Sequence, residues 1–378
     1  MSTETVDRWS PPARPAGKRT RRLVKETGLV GVVLSLGLLL TLLGGTLTVR
    51  DRATGQTRTV SRFLRADNLD KLAKNTSFFA IMAVGATVVI VSGGIDLSVG
   101  SIYCLAAVCG AMFLNYFGPQ GGGAGASPAW VVPSAILLCL GVGAAAGLLN
   151  GLGVVLLGVH PFVITLGTMA IYRGIAFVMT RAQSYTHFPP AFTDGLIRYE
   201  VGHNLYPVPM LITLVVTVLA AAYLKFTVTG RQIFAIGGNE QAARYSGLPV
   251  ERVKLKVYTF GGLAAGVAAM IMLGYYGAAS SDAGKGYELD VIAAAVVGGA
   301  SLSGGRGSAL GALLGSLIIQ MIASGIIILE IDQNYSQIII GAVIVAAVVL
   351  DRVSSSWRER RLAKAAVPEP DTHERTEP

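Results

Sequence analysis

Stretches free of Asp, Glu, Lys and Arg divide the chain, covering residues 27–49, 75–95, 97–172, 201–224, 257–281, 291–305, 307–329 and 333–350. An α-helix rises 1.5 Å per residue, so about 20 apolar residues cross the roughly 30 Å hydrocarbon layer of a bilayer. The run at 97–172 is long enough for three crossings and is broken near 118–128 and 158–161. The pattern predicts ten spans, at 27–49, 75–93, 97–115, 130–157, 161–180, 208–225, 257–276, 289–301, 307–329 and 334–351. The expected fold class is an all-α polytopic membrane protein. The first run is longer than a signal-peptide core and no A-x-A-like site follows it, so it is read as a retained span.

Composition narrows the class further. Of 378 residues, 52% are hydrophobic and only 14% are charged, against about 25% charged in soluble domains. Glycine is raised, at 47 residues, which suits close helix packing in lipid. These values exclude an ordinary soluble enzyme, a disordered tail protein and a disulfide scaffold. Cys104, Cys109 and Cys139 all lie in apolar runs without metal-ligand spacing and read as packing residues. The net charge of +9 does not mark a nucleic-acid surface, because the basic residues sit between spans, as they do in cytoplasmic loops. Basic clusters in the N-terminal tail, at 225–256 and after residue 351 agree with both termini inside. The loop 50–74 opposes this, with seven basic residues against three aspartates. Its end, 63–73, is expected to form a short interfacial helix. The organisation expected is a cytoplasmic tail at 1–27, a membrane domain at 28–352 with a cytoplasmic loop at 226–256, and a cytoplasmic tail at 353–378.

Two glycine-rich segments repeat. GGIDLSVG at 93–100 and GGASLSGG at 298–305 match at five of eight positions with an offset of 205. Each follows an apolar run and precedes a span. Interrupted helices at matching places in two halves point to a transport path, whereas ordinary turns at the membrane surface would look the same. The candidate path residues are Gly93, Gly94, Asp96, Ser98, Gly100 and Ser101, with Gly298, Gly299, Ser301 and Ser303. Asp96 is the only acid between Asp70 and Asp194. It is either an N-cap for the third span or a group acting on substrate or protons. Arg173 either snorkels or makes a structural pair, with Asp96 one partner in reach.

The segment 230–256 differs in kind. Glycines at 237, 238 and 247 and Pro249 punctuate a short polar helix that Asn239 is suited to cap. Such a helix in a cytoplasmic loop is either a docking element or an amphipathic surface helix. The loops 181–207 and 277–290 carry Tyr185, His187, Phe188, Tyr199, Tyr206 and Tyr287, which suit an interfacial aromatic belt or the reception of a partner. No GxxxxGK[ST], HExxH or GxSxG is present, and no cofactor, metal site or catalytic constellation is expected.

Three segments together resemble one family. GGIDLSVGS (93–101), GRQIFAIGGNEQAARYSGL (230–248) and ELDVIAAAVVGGASLSGGRGS (288–308) are similar to the permease subunits of bacterial sugar ABC importers of the ribose, xylose, arabinose and galactose type. PFVITLGTMAIYRG (161–174) agrees. The resemblance implies a type II importer fold working as a dimer, homomeric or heteromeric, in the bacterial cell membrane. It further implies a cytoplasmic ATPase partner and an extracytoplasmic sugar-binding protein. Under it, Glu240, Ala242, Ala243 and Gly247 occupy the family's coupling helix, with Gly238, Asn239 and Arg244 in the same element; Gln241 departs from the EAA pattern. The missing nucleotide loop fits an ATPase carried by the partner. The cargo expected is a monosaccharide, or in wider members of the family a nucleoside or another small polar solute. An ion-coupled secondary transporter using Asp96 is the reading from a different class.

Overall fold

The computed structural model describes residues 17–50, 57–201 and 206–349, apart from 344, 347 and 348. The elements run α1 (Gly17–Leu43), β1 (Thr46–Arg50), β2 (Thr57–Ser61), α2 (Ala66–Val91), α3 (Val99–Tyr116), α4 (Pro128–Leu157), α5 (Pro161–Thr180) and the single turn α6 (Pro190–Phe192). After a π-helical turn at Thr193–Ile197 come α7 (Pro207–Phe226), α8 (Val228–Gly238), α9 (Glu240–Tyr245), α10 (Val250–Tyr276), α11 (Tyr287–Val297) and α12 (Ala309–Ile328). Prolines open α4, α5 and α7 at the first helical turn, where the missing N–H costs nothing and φ is already helical.

Eight of these helices are long and apolar enough to cross a membrane. They correspond to eight of the ten predicted spans. The predicted span at 289–301 is instead the 11-residue helix α11. It rises only about 16 Å, because Gly298 and Gly299 end it early. Residues 336–343 of the last predicted span are helical, and much of its remainder, with the tails at 1–16 and 353–378, lies outside the described residues.

The interior is built from α2, α3 and α10, whose apolar windows are mostly buried. Glycines set a close crossing between α4 and α10. On α4, Gly143 and Gly147 lie one turn apart and face Gly262 and Gly266 of α10. A Cβ at Gly143 would stand 2.4 Å from the Gly262 carbonyl oxygen, and one at Gly147 would stand 2.3 Å from that of Tyr258. These four glycines let the two backbones touch. By contrast, α1, α5 and α7 expose apolar side chains such as Leu38, Phe177 and Leu219. In water such surfaces would be costly; facing lipid or another membrane chain they are not.

The basic loop departs from the sequence reading. The short helix expected at 63–73 is replaced by the first turns of the continuous helix α2, preceded by an antiparallel hairpin pairing Thr46 with Ser61 and Arg50 with Thr57. Its strands read TLTVR and TRTVS, an alternation of β-branched residues suited to a pleated surface. Several of the cations are neutralised locally. Arg62 pairs with Glu330 at 2.6 Å, Arg65 with Asp67, and Lys74 with Asp70. Lys74 is only 4% exposed and lies over the rings of Tyr206 and Tyr275, which supply cation–π attraction in place of water.

Candidate functional site

Both repeated glycine segments end a helix in the same way. At the end of α2, the Gly93 N–H donates to the Ile90 carbonyl and the Gly94 N–H to that of Val89. At the end of α11, the Gly299 N–H donates to Val296 and the Ala300 N–H to Ala295. These are paired Schellman closures, which need a left-handed residue; Gly93 has φ +83° and Gly299 has φ +92°. The geometric match is thus Gly93 with Gly299, one residue away from the match read in sequence.

Beyond the closure the segments diverge. The first is short and held by side chains. Asp96 is 6% exposed; its Oδ1 accepts the Ser98 N–H at 2.8 Å and the Ser98 hydroxyl at 2.6 Å. Asn150 of α4 reaches in, donating to Ser98 Oγ at 2.6 Å and to Asp96 Oδ1 at 3.5 Å. The hydroxyl of Tyr172 on α5 donates to Asn150 Oδ1 at 3.2 Å. Thr165 and Tyr258 both donate to the Ile95 carbonyl at 3.4 Å. Asp96 is therefore not the N-cap of α3: it lies three residues before the helix, Ser98 holds the cap position, and Asp96 binds Ser98 inside a network joining α3, α4 and α5. Ser101 bonds back to the Ser98 carbonyl at 2.8 Å. Gly100 has no room for a side chain, since a Cβ would lie 2.6 Å from both Glu288 Oε2 and the Gly284 carbonyl.

The second segment is longer, and backbone hydrogen bonds tie it to α2 and across its own turn. Ser301 is buried, and its N–H donates to the Arg306 carbonyl at 3.0 Å. Ser303 is exposed and has no counterpart role to Ser98. Ser308 is the N-cap of α12, and its Oγ accepts the Gly311 N–H at 2.9 Å, a capping bond that the Ser98 side chain does not make at α3.

Arg173 does not meet Asp96. It donates to the carbonyls of Ala283 at 2.5 Å and Gly284 at 3.1 Å and so holds the loop between α10 and α11. The aromatic residues of that loop and its neighbour mostly fold inward. Phe188 is buried, Tyr185 pairs with Ala279, and Tyr287 lies against Phe79 and Tyr103.

The short polar helix predicted at 239–246 is α9. Asn239 Oδ1 accepts the Ala242 N–H at 2.9 Å, and Gly247, with φ +77°, closes the helix. Ala243 turns inward, 4% exposed, among Ile233, Ile236, Val250 and Val253. The outward side carries Tyr245, 89% exposed. Glu240 bonds Lys254 at 2.8 Å and Arg244 at 3.2 Å, and Arg244 also pairs with Glu251. Partial burial pushes the Glu240 carboxyl up, yet Lys254 and Arg244 outweigh it and hold the group below its ordinary range.

One residue joins all three segments. Gly237, at the end of α8, sits where the end of α2 and the second glycine segment meet. A Cβ there would stand 1.8 Å from the Val91 carbonyl oxygen and 2.7 Å from the Gly305 nitrogen. A Cβ at Gly304 would stand 2.4 Å from the Gly237 oxygen, and one at Gly93 would stand 3.7 Å from the Gly237 Cα. The Gly305 N–H donates directly to the Val91 carbonyl at 2.8 Å. Two glycine segments some 200 residues apart in sequence thus close against the element that leads into α9, and no single-sequence spacing rule marks Gly237 as that hub. Asn150 and Tyr172 were equally hidden; the only signal was a polar residue inside an otherwise uncharged run.

Residues 68–348 match the family described as branched-chain amino acid transport system / permease component. The chain belongs to this permease family. Among curated relatives, this permease is 36% identical to the D-allose transport system permease protein AlsC of Escherichia coli K12, over 78% of this chain and 86% of that protein. It is 38% identical to the ribose import permease protein RbsC of the same strain, over 76% and 87%. It is 35% identical to the autoinducer 2 import system permease protein LsrD of Yersinia enterocolitica, over 78% and 89%. No solved structure matches the permease.

Proposed function

We propose that the chain is the membrane-spanning subunit of an ATP-driven importer, moving a monosaccharide of the pentose or hexose class handed to it by an extracytoplasmic binding protein. Relatives named for ribose, D-allose and autoinducer 2 import support the cargo class. In this reading two permease copies, alike or different, form the path in a bacterial cell membrane, and a cytoplasmic ATPase hydrolyses ATP. Both termini and the segment 226–256 face the cytoplasm, in line with their basic residues. The membrane domain runs from 28 to 352, with the tails 1–27 and 353–378 on either side.

The observation that carries the mechanism is the junction at Gly237. The ATPase pushes on α9, with Tyr245 and the Glu240–Arg244 edge forming the contact and Ala243 anchoring the helix from within. Movement passes through Gly237 and Gly238 to the end of α2 and to Gly298–Gly305. The packing beside Gly93, Gly94, Asp96, Ser98, Gly100 and Ser101, and beside Ser301 and Ser303, then changes between outward- and inward-open arrangements. With selection made by the binding protein, the path needs few polar groups.

The test is uptake of labelled monosaccharide into proteoliposomes holding the permease and its ATPase, with binding protein outside. Accumulation is expected only with ATP inside the lumen where the ATPase faces; accumulation driven by a proton or sodium gradient alone would replace this reading with ion-coupled transport. Tyr245→Ala is expected to weaken ATPase association at least about tenfold, the scale of an aromatic hot spot. Unchanged association, measured by co-purification and titration, would move the docking surface elsewhere.

A further inference from the structure

The function proposed above leaves unused the polar corner where α2 begins, although that corner gathers basic residues the span pattern does not explain. The base of the β-hairpin, the first turns of α2 and the last turns of α12 enclose a cavity of about 420 Å³. Helix lengths set its depth. The 20 residues of α12 cover about 30 Å, enough for the hydrocarbon layer, and end at this cavity. The 26 residues of α2 cover roughly 39 Å, so the turns of α2 lining the cavity project beyond hydrocarbon into the headgroup zone.

The walls are two-sided. Leu47, Leu72 and Ile327 form an apolar side, and Ile327, Leu64 and Leu69 around it are exposed. The polar side carries Arg62, Arg65 and Lys71 against Asp67 and Glu330, a surplus of one positive charge. Arg62 and Arg65 each give one guanidinium nitrogen to a carboxylate and retain further donors. Lys71 lines the same wall; among the described residues it makes no direct hydrogen bond or salt bridge to an acid and acts on Asp67 only through space. Arg65, the N-cap of α2, makes no side-chain capping bond, so the first N–H groups of α2 add partial positive charge at the same end.

We propose that this cavity binds the headgroup of an anionic phospholipid, with its phosphodiester against Lys71 and the unused edge of Arg65 and its acyl chains along Ile327. One surplus charge matches one phosphodiester, and the adjoining exposed apolar side chains suit acyl chains rather than a soluble partner. A lysine or arginine close to an anionic bilayer surface gains about 1 kcal/mol from the headgroups, and the proposed orientation puts this corner at the extracytoplasmic leaflet.

The experiment places the full-length permease in nanodiscs of equal phosphatidylglycerol and phosphatidylcholine and measures the co-purified lipid by mass spectrometry. The wild type is expected to retain phosphatidylglycerol preferentially. Lys71→Gln, which leaves no carboxylate unpaired, should lower that preference about fivefold, and Lys71→Gln with Arg65→Gln tenfold or more, whereas Lys71→Arg should keep it. An unchanged lipid ratio in a Lys71→Gln protein that elutes like the wild type would overturn the proposal. So would inorganic phosphate stabilising the detergent-solubilised permease as well as phosphatidylglycerol does, which would mark a soluble-anion site. Unaltered lipid retention with weakened binding-protein affinity would assign the surface to protein docking and overturn it equally.

Discussion

The two glycine segments share a helix closure and little else. The first, after α2, is locked by side-chain hydrogen bonds that reach α4 and α5 through Asn150 and Tyr172. The second, after α11, is cross-linked through its backbone, to Val91 through Gly305 and against Gly237 through Gly304. A segment tied by several buried side chains is expensive to move, because each broken bond leaves a polar group without water. A repeated motif need not be held the same way twice: in the proposed mechanism the first segment anchors and the second transmits.

The largest effect on this contrast is expected at Asp96. Asp96→Ala strips the Ser98 N–H and hydroxyl of their acceptor and is expected to lower stability by about 1–3 kcal/mol, measured as thermal unfolding of the purified protein in detergent. Asp96→Asn keeps an acceptor oxygen at the same place and should recover most of that loss together with sugar uptake. If the asparagine variant were as stable as the wild type yet inactive, the carboxylate charge itself would be at work and the anchor reading would fail. Ser308→Ala is expected to cost less, about 1 kcal/mol, the usual value of a lost N-cap, with α12 otherwise intact. A Ser308→Ala loss equal to that of Asp96→Ala would erase the distinction between the two segments.

Most of the fold was legible from the gaps between charges, because a bilayer imposes length and apolarity on every crossing. The exceptions have local causes. The segment 289–301 reads as a span because it lies mostly in a charge gap, but Gly298 and Gly299 stop α11 after 11 residues. The hairpin at 46–61 carries its signal in Thr and Val positions along TLTVR and TRTVS, which the loop's dense charge masks. At the site, the glycine segments and the capped helix α9 were readable because turns and caps are local chemistry. Their partners were not, since Asn150, Tyr172 and Gly237 reach them only through tertiary packing. Ala243 shows the limit most clearly: sequence placed it on the docking helix, and the structure turns it inward, leaving Tyr245 outside.

The central claim is that force from α9 passes through the backbone contact at Gly237. The direct test is the number of sugars carried per ATP hydrolysed by the reconstituted importer bearing Gly237→Ala, whose Cβ cannot fit against the Val91 carbonyl without displacing it. The expected result is a protein that still assembles and hydrolyses ATP but carries at least about tenfold less sugar per ATP, a loss equivalent to roughly 1.4 kcal/mol of coupling. A variant that assembles normally and transports with the wild-type ratio would contradict the claim.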